Sequence, residues 1–138
     1  MPEISKSFQL QAAGLGASRL SRRGLSAYYA IVAEHGVEAL LSTERELWRG
    51  TPELQKSFSS SERLGETLQE LERWRARGIA AVGLGDPLYP ARLAGIYQPP
   101  PILFYRGELR PLPAELPAVA IVGSRRADAH GCDLAHQF

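Results

Sequence analysis

The segment VAIVGSRR, residues 119–126, is where residue types and spacing point to chemistry. An apolar run delivers Gly123 to a turn, and a residue without a Cβ lets the backbone come close to a ligand. Ser124 offers a hydroxyl, and Arg125 and Arg126 supply charge-assisted bonds to phosphate. The turn amides and the amino end of the following helix would meet the same anion. Asp128 precedes that helix and can cap it. The chemistry is phosphate binding without catalysis, because no acid, base or nucleophile is arranged beside the turn. The pattern is neither GxGxxG nor GxxxxGK followed by Ser or Thr, so a dinucleotide or P-loop nucleotide site lacks its signature. A plain strand–turn–helix with exposed arginines fits the same letters.

Other residues are weaker candidates. Arg19, Arg22 and Arg23 cluster before a helix. They are possible accessory contacts to a DNA backbone, or a solvated charged patch. Arg73, Arg75 and Arg77 sit near a helix end, where the macrodipole favours cations. Tyr28, Tyr29, Trp48 and Trp74 have the rings that single-strand binders stack on bases, but their helical placement favours packing. His35, His130 and His136 are widely spaced, with no metal-ligand motif around them. Cys132 reads as a small packing residue. No metal site and no cofactor is expected.

These residues need elements to hold them. With 138 residues, 44% hydrophobic and 22% charged, the chain is a soluble globular type rather than a disordered one. The formal charge is +1, so bulk charge does not announce a nucleic-acid binder; only a local patch would serve. The 16 basic residues are nearly all Arg, which suits phosphate, although an arginine-rich genome gives the same bias. One cysteine excludes an internal disulfide. Neither an export signal nor a membrane-length apolar run is evident, which predicts a cytoplasmic protein without membrane contact.

Residues 1–78 read as helical. Gly14 and Gly16 break the first helix early. A second helix runs over 24–36, with Ser26 as cap and Gly36 as stop. Another starts at Ser42 or Thr43, with Glu46 completing a capping box. A further one spans about Ser61 to Arg77, burying Leu64, Leu68, Leu71 and Trp74 and ending at Gly78. The texture changes at Ile79, for eight of the ten prolines lie between Pro87 and Pro117. Strands are expected at 79–85, 102–107 and 118–123, with Pro90 opening at most one helical turn. The last strand is a continuous apolar run, the kind buried in a parallel sheet. The fold class is therefore α/β: a helical part over 1–78, then the start of a Rossmann-like parallel sheet over 79–138. Three strands cannot bury both faces of such a sheet, which predicts that the chain is a fragment or the first portion of a split product.

Residues 79–131 carry a further pattern: Tyr89-Pro90, Leu93, Pro100-Pro101, the strand Leu103 to Gly107, then Gly123-Ser124-Arg125. In this order and spacing the segment resembles the DNA-processing protein A (DprA, Smf) family. Residues 8–78 more loosely resemble the sterile-alpha-motif-like domain that often precedes it. The resemblance implies a non-enzymatic protein with an extended Rossmann-like domain. It also implies that this protein binds single-stranded DNA, helps load the RecA recombinase in natural transformation and works as a homodimer. It gives Arg125 a phosphate contact, with Gly123 and Ser124 forming the loop and Arg126 beside it. Asp128 and His130 depart from the residues usual in the family. Two alternatives remain: a nucleoside-monophosphate-processing hydrolase of Rossmann-like fold, and a non-catalytic helical interaction module.

Overall fold

A computed structural model of the chain describes residues 5–41, 51–58, 61–110, 113 and 116–138. Helix α1 (Lys6–Ala17) is its centre. Ser5 starts it, its hydroxyl accepting from the Phe8 amide at 3.3 Å. Leu10, Ala13, Gly14 and Ala17 recur at helical spacing and are all buried. Gly14 and Gly16 lie inside this helix rather than breaking it early, and Gly14 is needed there for space. A Cβ on Gly14 would stand 2.3 Å from the Pro101 carbonyl oxygen.

One side of α1 packs on α2 (Arg22–His35) and α3 (Pro52–Phe58), where Ala13, Ala17, Tyr28 and the fully buried Leu54 form one cluster. Ser21, not Ser26, caps α2: its hydroxyl accepts from the Gly24 amide at 3.2 Å, so the helix begins at Arg22. Glu53 of α3 reinforces that end, accepting from both the Ser21 amide and the Ser21 hydroxyl. A carboxylate here also faces the positive end of the α2 dipole. Gly36 stops α2 with φ of 79°, as a left-handed C-terminal residue does. A 3-10 turn over Val37–Leu41 follows. The expected capping box at Ser42, Thr43 and Glu46 lies outside the described residues.

The other side of α1 holds α4 (Ser61–Ala76) and the sheet. Leu15, Leu71 and Ile102 are buried together, with Phe8 and Ala81 against them. Gly78, with φ of 69°, ends α4. The Ile79 amide reaches back to the Trp74 carbonyl and the Gly78 amide to that of Arg75, which satisfies the last carbonyls. Strand β1 (Ala80–Gly83) follows at once and pairs antiparallel with β2 (Ile102–Tyr105), Ala80 opposite Tyr105 and Gly83 opposite Ile102. Gly83 lies so close to α1 that a Cβ would come 2.3 Å from the Leu10 carbonyl oxygen.

The proline-rich connection between the strands is tied down by side chains. Asp86 accepts from the Leu88 amide at 2.9 Å and from the Ser7 hydroxyl of α1. Pro90 opens the single helical turn α5 (Ala91–Ala94). Tyr29 donates to the Pro99 carbonyl at 2.6 Å, and Tyr89 to the Pro100 carbonyl at 2.7 Å. Burial first, and the neighbouring Tyr29 second, push the Tyr89 hydroxyl up to about 12, so it stays a donor into more alkaline solution than an ordinary tyrosine.

The architecture is therefore a mostly helical bundle with one small antiparallel sheet, and not the Rossmann-like parallel sheet expected from sequence. The decisive difference is residues 118–123, which form no strand. Apolar composition favours a strand, but ladder pairing and cover on both faces hold it. Among the described residues that run pairs with neither β1 nor β2. Val119 and Val122 are 80% and 89% exposed. Helix α6 (Ala129–Gln137) then closes the chain, with Leu134 and Cys132 at the surface.

Two outcomes test this packing. Gly14→Ala should destabilise the fold by about 1–3 kcal/mol through overpacking. Gly65→Ala, with nothing within 4 Å of the new Cβ in α4, should be neutral or stabilise by up to about 1 kcal/mol. Equal chemical-denaturation midpoints for the two variants would contradict the assigned contact. Acid stability tests the α2 end. The two Ser21 hydrogen bonds hold the Glu53 carboxyl below its ordinary value of 4.5. Its contribution is thus present above that value and lost as pH falls through the lowered one. Glu38 is also lowered, by Lys6, so Glu53→Gln should flatten part, not all, of the acid-side loss of melting temperature.

Candidate nucleic-acid interface

The turn proposed from sequence is bare, and the buried strand expected to deliver it is absent: residues 118–123 lead into it as exposed chain, unpaired among the described residues. Arg125 and Arg126 make its bend, and Gly123 through Arg126 are all exposed. Ser124 shapes it: the hydroxyl accepts from the Arg126 amide at 3.0 Å, a side-chain turn spanning two residues. Neither guanidinium has a carboxylate partner among the described residues, so both charges remain available to an anion. Gly123 has a free flank. A Cβ there would meet nothing within 4 Å and its φ is not left-handed, so the fold itself does not demand glycine. Without a side chain, the backbone on that flank is uncovered.

The helix that follows contributes less than its amino end suggests. Asp128 caps α6 as expected, its carboxylate accepting from the Gly131 amide at 2.8 Å. That donor is taken, and the cap places a negative charge at the positive end of the helix dipole. The Arg126 amide is likewise taken, by the Ser124 hydroxyl, so the guanidinium groups are the main features of this turn that would attract an anion, and Asp128 opposes them.

The accessory arginines separate. Arg22 and Arg23 stand exposed on the first turn of α2. Arg19 lies beyond the end of α1 and pairs with Glu70 of α4. It borders a cleft of about 550 Å³ that Arg73, Trp74 and Arg77 also line. Sequence reading gave those α4 residues to dipole compensation and packing. Positions 66, 70, 73, 74 and 77 in fact recur on one helical stripe, a spacing visible in the sequence. The β2 residue Phe104, whose ring centroid is 5.6 Å from that of Trp74, carried no such signal. Among the described residues no group of three or more His, Cys, Asp or Glu side chains could hold a metal ion. No helix among them is long and apolar enough to cross a membrane.

The comparisons with known proteins fall on this half of the chain. A family model described as DNA recombination-mediator protein A matches residues 80–138. The matched span contains β1, β2, the Ser124 turn and α6, and leaves α1 to α4 outside. No curated protein and no solved structure matches the chain.

The cap assignment has its own test. Asp128→Ala should cost α6 about 0.5–2 kcal/mol and speed hydrogen exchange at the Gly131 amide, while Asp128→Asn should largely preserve its protection. Unchanged exchange in Asp128→Ala would remove the cap from the account.

Proposed function

We propose that the chain contacts single-stranded DNA through the Gly123–Arg126 turn as a non-enzymatic component of recombination. The observation that supports this most is the pair of unpartnered guanidinium groups on a turn fixed by Ser124, inside the segment that matches a recombination-mediator family. Arg125 and Arg126 supply charge-assisted bonds to phosphate, and Gly123 leaves the strand room to lie against the backbone. Binding, not bond chemistry, suits the surroundings, since the nearest carboxylate in sequence, Asp128, is engaged as a helix cap. In the fuller reading the protein works in the cytoplasm, as a homodimer, and helps load RecA onto strands taken up in natural transformation. Arg22 and Arg23 are accessory phosphate contacts in that reading.

The electrostatic origin makes the test quantitative. Arg125→Ala should weaken binding of a short single strand about tenfold, the worth of a charge-assisted hydrogen bond. It should also lower the slope of log affinity against log salt by about 0.7. Fluorescence anisotropy over a salt series, on variants with unchanged circular dichroism, reads both. The same affinity and slope in the variant would remove Arg125 from the interface.

A further inference from the structure

The cleft beside α4 has the parts of a second site. Its wall is the stripe of Glu66, Glu70, Arg73, Trp74 and Arg77, and Arg19 closes one end. Arg19 and Glu70 neutralise each other in an ion pair. Glu66 contributes one negative charge, and the carboxyl end of α4 roughly half of another. Against these stand Arg73 and Arg77, both exposed and neither paired with a carboxylate among the described residues. The balance over the outer part of the cleft is positive.

Aromatic surface lies alongside. Trp74 is half-buried on the stripe, and Phe104 of β2 tilts against it at 47° while remaining 45% exposed. The Arg77 guanidinium stands 6.0 Å from the Trp74 ring centre. Rings beside exposed guanidinium groups are what a strand with splayed bases requires: a π-face for a base and cations for the flanking phosphates. An acidic peptide would use the arginines and leave the rings idle. A duplex would keep its bases out of their reach.

We propose that this cleft is a second contact for single-stranded nucleic acid, taking a base against Trp74, which Phe104 backs, and phosphates on Arg73 and Arg77. It rests on the reading that the chain handles single strands. The test uses the full chain and a fluorescein-labelled (dT)12 strand followed by anisotropy. Arg73→Glu with Arg77→Glu should weaken binding tenfold or more and lower the salt slope by about 1.4, two contacts' worth for a single strand. In Trp48→Phe, where Trp74 is the one tryptophan left, the strand should quench fluorescence saturably, and an abasic strand of equal length should not. Arg125→Ala should keep that quenching at higher strand concentration. Unchanged affinity in the folded double variant overturns the proposal. So does equal binding of the abasic strand, or preference for a poly-glutamate peptide. If instead Arg125→Ala changes nothing while the double variant fails to bind, the cleft stands and the turn falls.

Discussion

Two backbone contacts without intervening side chains set the geometry of this chain. Gly14 brings α1 against the Pro101 carbonyl, and Gly83 brings β1 against the Leu10 carbonyl. Neither approach tolerates a Cβ, so the antiparallel strand pair sits on α1 at close range. The strand pair and the connection between its strands inherit that placement. The Ser7–Asp86 bond and the Tyr29 and Tyr89 hydroxyls then fasten the proline-rich connection to the same helices. Short-range dispersion and a handful of buried hydrogen bonds thus join the helical residues to the sheet.

Against that ordered body, the turn at Gly123–Arg126 is organised only locally. One hydroxyl shapes it and one carboxylate caps the helix behind it. Its electrostatics come from two full charges exposed to water, partly opposed by Asp128, so the phosphate binding proposed for it would depend strongly on salt. The α4 cleft differs in kind. There rings from a helix and a strand meet beside guanidinium groups, so in the proposed contact stacking would add a part that salt does not screen.

Much of the fold was legible where local chemistry decides it. Gly36 and Gly78 stop helices as read, because left-handed C-terminal residues are a local requirement. The α4 helix, β1, β2 and the single turn after Pro90 fall where periodicity and proline placement put them. The misreadings involve partners far away in sequence. Gly14 looked like a breaker because its reason for being glycine is Pro101, far along the chain. Ser26 looked like a cap because nothing local shows Glu53 gathering at Ser21. Residues 118–123 looked like a buried parallel strand because apolar composition reports a preference, whereas pairing depends on an edge to pair with. For the site, the Ser124 turn and the Asp128 cap were visible in sequence. The meeting of Trp74 with Phe104 was not, since nothing but the fold brings α4 and β2 together.

The central claim is that a strand's phosphates sit on the Gly123–Arg126 turn. Amide chemical-shift mapping with isotopically labelled full chain tests it most directly, because it reports each residue without altering any. Addition of an oligothymidylate at low salt should shift the Gly123, Ser124, Arg125 and Arg126 signals, with the shifts collapsing as salt is raised. If those four amides stay in place while the strand is bound elsewhere on the chain, the account of this turn is wrong.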